Sequence, residues 1–433
     1  MTQRNLLLFA AVAGLYLLPG VTESWNLTPN ILNFALLATI AALGVNIQWG
    51  YAGLFSVGTM GFTALGGLAV VLVSARPNVD NWQAGGWGVV LGLVLGALTM
   101  IAAIFAWKLI PKGRLRALGT AAVLIGGFLL TRAVFDPAVL AVEAINPQNA
   151  GNVGGLGLPS LLAWPVGGLL AALVGWAIGK TALGLRSDYL AIATLGIAEI
   201  IVAVMKNEDW LARGVKNINQ LPRPWPVPLE VDLQKDAGFL DFVARWGWDP
   251  VSTSTIFVKL LYMGMFVVVL AAIIWACERA LNSPWGRMMR AIRDNEVAAS
   301  AMGKNVTARH LQIFIIGSAV VGMAGAMLVS SLGGLVPGNY TPLRFTFLIW
   351  VMVIVGGSGN NWGAILGGLL IGWLYLAVEF LGPQMMQIIT AGLPAGDFKD
   401  HLQDTAAHMR LLTLGVVLLV VLRFAPRGLI PEK

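Results

Sequence analysis

Residues 282–309 read N-S-P-W-G-R-M-M-R-A-I-R-D-N-E-V-A-A-S-A-M-G-K-N-V-T-A-R. This strongly charged stretch lies between two long apolar runs. Ser283 is a favoured N-cap, and Pro284 suits the first helical position because proline lacks the N–H that would be unpaired there. Helical spacing gives one apolar stripe, Trp285, Met288, Met289 and Ile292, beside a basic stripe, Arg287, Arg290 and Arg293. The pattern predicts an amphipathic helix at a membrane interface.

A second, shorter helix is predicted immediately after the first. Asn295 can cap its start, and Gly303 is a natural left-handed residue for its end. The residues between them are mostly small, so this helix can enter a groove. We expect Ala299 to face that groove and Ser300 to lie about 100° away from it.

The composition indicates a membrane protein with an all-α fold. Of 433 residues, 57% are hydrophobic and 11% are charged, against about 25% charged in a soluble domain. A single cysteine, Cys277, excludes an intramolecular disulfide. The 52 glycines suit a fold held by close helix packing. We expect one permease-like transmembrane domain over residues 1–433.

Apolar runs predict where the chain crosses the membrane. A hydrocarbon core of about 30 Å requires about 20 helical residues. The runs beginning at Gly53 and Phe345 are short or interrupted by glycine, so we predict 10–12 transmembrane helices with Gly-interrupted segments. The candidate spans are 5–19, 30–49, 53–74, 87–107, 117–135, 161–179, 189–205, 256–276, 311–332, 345–356, 363–381 and 409–424.

Loop charges predict the orientation of these spans. The loop at 278–309 has six basic and three acidic residues, whereas the long loop at 207–253 has more acidic than basic residues. Basic loops remain in the cytoplasm. The first loop is therefore predicted to be cytoplasmic, the second periplasmic, and both termini cytoplasmic. Because no single face or tail gathers the basic residues, a nucleic-acid partner is not expected.

Two apolar stretches in opposite halves of the chain are interrupted by small residues. The first covers residues 50–67 and begins G-Y-A-G-L-F-S-V-G at residues 50–58, and the second covers residues 356–372. Backbone groups freed within a membrane persist only where protein or an aqueous cavity satisfies them. Gly53, Ser56 and Gly58 are therefore candidates for lining a translocation path, with tight helix packing as the alternative. The pairing also suggests duplicated halves around a midplane site.

Glu199 lies about ten residues into a predicted span. An ionised carboxylate at such a depth costs a few kcal/mol and normally faces the bundle interior or water. Glu199 is predicted either to line the path or to make a structural hydrogen bond between helices.

The sequence gives little support for enzymatic chemistry. Gly179, Lys180 and Thr181 resemble the end of a phosphate loop, but Val174 occupies the position that requires glycine. The three histidines, His310, His401 and His408, fall in separate predicted loops. We therefore expect no catalytic residue, metal or cofactor on this chain, and an energy source on another chain.

Four segments together resemble a known family. They are 50–58 and 282–309, quoted above, L-R-S-D-Y-L-A-I-A-T-L-G-I-A-E-I at 185–200, and V-G-G-S-G-N-N-W-G at 355–363. They are similar to the permease subunit of bacterial branched-chain amino acid ABC importers. In the general importer loop a glutamate directly precedes an alanine pair and lies six residues before a glycine. Here Val297 separates Glu296 from the alanine pair, so Glu296 lies one residue further from the alanines and from Gly303.

The resemblance implies a mechanism and its partners. Residues 296–303 would form the coupling helix that docks on an ATPase, with Glu296, Ala298, Ala299 and Gly303 at the contact. The expected partners are a second permease subunit, two cytoplasmic ATPase subunits, a periplasmic substrate-binding protein and the lipid bilayer of the inner membrane. The cargo would be leucine, isoleucine, valine or a related amino acid.

Two alternatives remain from the sequence. Permeases for urea or short amides share much of the pattern, and no residue decides the polarity of the cargo. A secondary transporter or channel would need neither a docking helix nor ATP.

Overall fold

The computed structural model of the protein describes residues 3–145, 151–394, 396–405 and 409–432. These residues form α-helices joined by short connections, and the described part contains no β-strand beyond one isolated antiparallel bridge between Ile218 and Leu335. The α-helices in chain order are α1 Gln3–Leu15, α2 Leu18–Thr22, α3 Leu27–Val45, α4 Thr59–Ser74, α5 Val79–Asn81, α6 Trp87–Leu109, α7 Arg114–Ala144, α8 Ser160–Ala182, α9 Ser187–Asn207, α10 Asp209–Ala212, α11 Glu230–Leu233, α12 Ala237–Arg245, α13 Pro250–Leu281, α14 Pro284–Asp294, α15 Glu296–Ala301, α16 Val306–Leu332, α17 Leu348–Gly356, α18 Asn361–Ile389, α19 Asp397–Asp404 and α20 Met409–Phe424.

Nine helices among the described residues are long and apolar enough to cross a membrane, judged by length and composition. Three shorter apolar helices, Thr59–Ser74, Leu343–Gly356 and Leu412–Phe424, accompany them. The prediction of an all-α, multi-pass membrane protein is confirmed. Short π-helical turns, Asn46–Gly50 and Leu343–Phe347, adjoin α3 and α17.

The centre of the bundle is built from α3, α4, α8, α16, α17 and α18. Glycines allow these helices to touch: a Cβ atom added to Gly66 on α4 would overlap the carbonyl oxygen of Gly322 on α16. Backbones approach in this way where small residues replace side chains at a membrane helix crossing. By contrast, α6 and α7 pack on each other at the periphery and expose most of their apolar surface.

The two loops whose charges differ lie at opposite ends of the bundle. Helix α13 has 32 residues, a length of roughly 48 Å at about 1.5 Å per residue, and it separates the loop at 207–253 from that at 278–309. The Arg4 guanidinium donates to the Leu429 carbonyl at 3.4 Å, and Glu432 pairs with Arg293. The described parts near both chain ends therefore lie at the same end as residues 278–309.

Candidate functional site

The two predicted helices of the loop at 278–309 are present as α14 and α15. The Ser283 hydroxyl accepts from the Gly286 N–H at 3.4 Å, and the Asn295 side-chain oxygen accepts from the Ala298 N–H at 2.9 Å. Met289 and Ile292 are buried against the bundle, as the apolar stripe predicts. We call residues 284–303 the coupling loop.

Gly303 ends the second helix in a left-handed conformation, with φ of +77°. Its N–H donates to the Ser300 carbonyl at 2.9 Å, and the Lys304 N–H donates to the Ala299 carbonyl at 3.2 Å. These bonds satisfy carbonyls that the end of a helix leaves unpaired. A side chain other than glycine would be strained at this position.

The predicted coupling residues do not all face the same way. Glu296, Ala298 and Gly303 are exposed, whereas Ala299 is only 8% exposed and packs on its own chain. The expectation that Ala299 faces outward is therefore corrected. Sequence reasoning overlooked Val297 and Met302, which are 80% and 79% exposed. They are the large apolar side chains of α15 and of the residue that follows it, and that feature could have identified them.

Arg293 connects the coupling loop to the rest of the bundle. Its guanidinium donates to the Gly50 carbonyl and pairs with the Glu432 carboxylate at 2.8 Å. Burial opposes the charge of Arg293, but the hydrogen bond and charge of Glu432 raise its pKa above the ordinary value. Arg293 thus holds α14 against the last residue of the π-helical turn that follows α3.

A cluster of four polar side chains lies beside this contact, and we call it the polar hub: Asn46, Tyr51, Glu278 and Asn361. The Asn361 amide group donates to Glu278 at 3.0 Å, and its oxygen accepts from Asn46 at 3.3 Å and from the Tyr51 hydroxyl. The Asn46 oxygen also accepts from the Gly359 N–H at 2.9 Å. The hub joins both Gly-interrupted stretches to the last turn of α13, directly before the coupling loop.

The position of the hub corrects one prediction. The two Gly-interrupted stretches do meet, but at the end of the bundle beside the coupling loop and not around the midplane. The reason is that each break follows a helix that has already reached this end. Sequence reasoning did not identify the hub, although polar residues such as Asn46 and Asn361 at the ends of apolar runs are a visible signal.

Residues 53–58 run inward from the hub without helical structure. Side chains of neighbouring helices satisfy their backbone: the Thr194 hydroxyl accepts from the Val57 N–H at 3.0 Å, the Thr346 hydroxyl donates to the Val57 carbonyl at 3.2 Å, and the Trp350 indole donates to the Ser56 carbonyl at 3.1 Å. This is how protein stabilises irregular backbone at membrane depth. Gly53, with φ of +70°, is exposed and allows the turn into this segment.

The side chains of this segment face two different environments. Phe55 and Val57 line an apolar cavity of about 560 Å³, together with Leu195, Thr346 and Trp350 among others. Ser56 and Gly58 are buried on the opposite side, and a Cβ atom at Gly58 would lie 2.9 Å from the Thr194 carbonyl oxygen. The Ser56 hydroxyl has no hydrogen-bond partner among the described residues. The structure thus supports the packing alternative for Gly58, and it adds Phe55 and Val57 as cavity-lining residues.

Glu199 lies on the open face of α9 and is exposed. Leu195, one helical turn earlier, lines the apolar cavity, whereas Thr194 is buried and holds Val57. No hydrogen bond or ion pair joins Glu199 to another residue that the structure describes. Its role in a path stays a prediction.

The remaining candidates for chemistry are dispersed. Gly179, Lys180 and Thr181 lie in the last turn of α8, a continuous helix. His310 and His401 lie on α16 and α19, and His408 lies outside the described residues. Within the described ranges, no three His, Cys, Asp or Glu side chains form a group that could hold a metal ion.

Comparison with known proteins shows which family the chain belongs to. Residues 113–422 match the family described as branched-chain amino acid transport system / permease component. The high-affinity branched-chain amino acid transport system permease protein LivM of Escherichia coli is 29% identical over 280 residues, which are 64% of this chain and 58% of that protein. The chain thus matches less than two thirds of the length of this relative.

More distant relatives were also found. The probable branched-chain amino acid transport permease protein LivM of Methanocaldococcus jannaschii is 27% identical over 316 residues, 71% of this chain and 77% of that protein. The ribose import permease protein RbsC of Haemophilus influenzae is 24% identical over 259 residues, 59% of this chain and 72% of that protein. No solved structure matches the chain.

The family match covers more than half of the chain and includes the coupling loop, Glu199 and the second Gly-interrupted stretch. The chain therefore belongs to the permease component family of branched-chain amino acid transport systems.

Proposed function

We propose that this chain is the permease subunit of a binding-protein-dependent ABC importer that carries branched-chain amino acids across the bacterial inner membrane. It acts as one transmembrane domain, with the coupling loop and both termini in the cytoplasm and the loop at 207–253 in the periplasm. Two ATPase subunits, a second permease subunit and a periplasmic binding protein complete the importer. In this proposal ATP is bound and hydrolysed on the ATPase subunits.

The observation that carries this proposal is the mechanical connection of the coupling loop. Val297 and Met302 are exposed apolar side chains suited to a groove on a partner, while Arg293 and the polar hub fasten the same loop to both Gly-interrupted stretches. A displacement of α15 by an ATPase would therefore be passed to residues 53–58 and to the apolar cavity beside them. A secondary transporter or channel would gain nothing from such a connection.

Replacing the exposed pair tests the proposal. Val297→Asp and Met302→Glu place charges in the apolar contact while leaving the buried Ala299 unchanged. We expect both variants to insert normally, to lose ATP-driven leucine uptake and to lose the co-purifying ATPases. Ser300→Glu is the matched control, because Ser300 is exposed on the same helix and not apolar. Normal uptake by both charged variants would contradict the coupling role.

Two further measurements test the finer parts of the proposal. Competition of leucine uptake by urea, short amides, ribose and nucleosides separates the cargo classes, and only amino acids should compete. A cysteine introduced at Gln234 should react with an impermeant label from outside intact cells. Labelling only after permeabilisation would reverse the proposed orientation.

A further inference from the structure

A large cavity lies at the end of the bundle opposite the coupling loop. Its volume is about 950 Å³, and it is enclosed by the first turns of α13, the chain before α3, and the short helix α12. Aromatic and aliphatic side chains form most of its wall: Trp25, Phe239, Phe242, Trp248, Phe257 and Leu260. Nothing in the transport mechanism proposed above uses this cavity.

The position of the cavity places it at the boundary between membrane and water. Phe257 and Leu260 belong to the apolar span α13, so this part of the wall lies beside hydrocarbon. Helix α12 is amphipathic, and the ring of Trp246 at its end stacks on that of Trp248 at 5.6 Å. Tryptophan is enriched at membrane interfaces, and amphipathic helices lie in the interface plane. The cavity therefore meets both acyl chains and lipid headgroups.

The charged groups of the cavity are all of one sign. Glu23 and Asp249 are the ionisable side chains in its lining, and no lysine or arginine lines it among the described residues. Asp249 caps α13 by accepting from the Ser252 N–H at 2.8 Å, and this bond lowers the pKa of its carboxyl group. The nearby ammonium of Lys259 is already held by the Asn26 side-chain oxygen at 2.7 Å and by the Asn26 carbonyl.

The acidic lining of the cavity determines which lipid headgroup fits it. A primary ammonium would meet the carboxylate of Asp249 and that of Glu23, which also accepts from the Gln384 amide, beside the aromatic rings of Trp25 and Trp248. The Thr253 hydroxyl, which lines the cavity, can donate to a phosphate oxygen, whereas the Ser252 side chain is hydrogen-bonded to Asp249. A headgroup with a phosphate and no ammonium would be repelled by the two carboxylates, because it carries no positive charge to offset theirs. We propose that this cavity binds a zwitterionic aminophospholipid, phosphatidylethanolamine, with its acyl chains along the aromatic wall and its ammonium at Glu23 and Asp249.

Native mass spectrometry of the purified full chain tests this proposal. The chain is equilibrated with equal amounts of phosphatidylethanolamine and phosphatidylglycerol that have the same acyl chains, and the retained lipids are counted. We expect about tenfold preferential retention of phosphatidylethanolamine at one site, equivalent to about 1.4 kcal/mol. Equal retention of the two lipids would overturn the proposal.

Two variants and one control show where the preference arises. The double variant Glu23→Gln, Asp249→Asn removes both charges but keeps a capping side chain. It should reduce the ratio of retained phosphatidylethanolamine to retained phosphatidylglycerol to about one. Asp236→Asn makes the same change at the cap of α12, outside the cavity lining, and should retain the preference. Thr253→Trp fills the cavity and should abolish the preferred site while the circular dichroism spectrum stays that of a folded helical protein. Unchanged retention in the double variant or in Thr253→Trp would contradict the assignment.

Discussion

The two Gly-interrupted stretches read alike in the sequence but are stabilised differently. Residues 53–58 run into the bundle, and side chains of Thr194, Thr346 and Trp350 bind their backbone. Residues 357–360 form a tight connection that the C-terminal tail supports: the Leu429 N–H donates to the Val355 carbonyl at 2.9 Å, and the Ile430 N–H donates to the Gly356 carbonyl at 2.9 Å.

This difference shows which changes each stretch can tolerate. The first depends on a few hydroxyl and indole groups, so single substitutions at those helices should loosen it. The second depends on main-chain bonds to the tail and on the side chains of Asn46 and Asn360, so loss of the tail should disturb it more than any single substitution.

The largest effect is expected from removing the tail. Deletion of residues 427–433 eliminates the two main-chain bonds to Val355 and Gly356 and the ion pair of Glu432 with Arg293. At about 1 kcal/mol for each neutral bond and more for the charged one, we expect leucine uptake to fall more than tenfold. The measurement is uptake normalised to the amount of membrane-inserted chain. Glu432→Gln removes only the ion pair and should cause a smaller loss; wild-type uptake by the deletion would show that the tail is dispensable.

Arg293→Ala should have the next largest effect, because the Arg293 side chain bonds both to the Gly50 carbonyl and to Glu432 of the tail. A hydrogen bond to a charged group contributes about 1.5–3 kcal/mol, so uptake per molecule of hydrolysed ATP should fall several-fold. Arg287→Ala is the control, since Arg287 is exposed on the same helix. Equal losses in the two variants would mean that only the net charge of α14 matters.

Thr346→Val tests the first stretch alone. It removes the hydroxyl that donates to the Val57 carbonyl and accepts from the Met60 N–H at 3.2 Å. Leaving buried backbone groups unpaired costs about 1–3 kcal/mol, so the melting temperature of the purified chain should fall by several degrees. Thr181→Val removes an exposed hydroxyl that bonds only within its own helix, and it should leave the melting temperature nearly unchanged. No difference between the two would contradict the importance of side-chain support.

The smallest effect is expected for Glu199→Gln. The substitution keeps the shape of the side chain and removes its charge on the face of α9 beside the cavity-lining Leu195. If the carboxylate acts as a charge in the path, uptake should fall a few-fold while the folded yield stays normal. Uptake equal to that of the wild type would assign no transport role to the charge.

Local signals in the sequence were sufficient for the helices of the coupling loop. Ser283, Pro284, Asn295 and Gly303 act on groups within a few residues, so their roles can be read without knowledge of the fold. The direction of Ala299 could not be predicted in this way. It depends on how the coupling loop packs on the rest of the chain, where residues distant in sequence meet, as Arg293 and Gly50 do across 243 positions.

The same limit applies to the Gly-interrupted stretches. Glycine predicts that a helix is broken, but not where the broken backbone finds its hydrogen bonds. Thr194 and Trp350 are distant in sequence from Ser56 and Val57, and the polar hub gathers residues from three separate helices or their ends. For this reason the sequence predicted irregular backbone at residues 53–58 without showing that Phe55 and Val57, and not Ser56 and Gly58, face the cavity.

The ion pair of Arg293 with Glu432 also has a consequence for biosynthesis. The ribosome makes residues 429–432 after every helix that they bind, so the brace across the coupling loop forms only when translation has passed α20. A nascent chain interrupted earlier can insert its helices in the membrane, yet its coupling loop lacks this connection. Synthesis of residues 429–432 thus has to precede the bracing of the coupling loop.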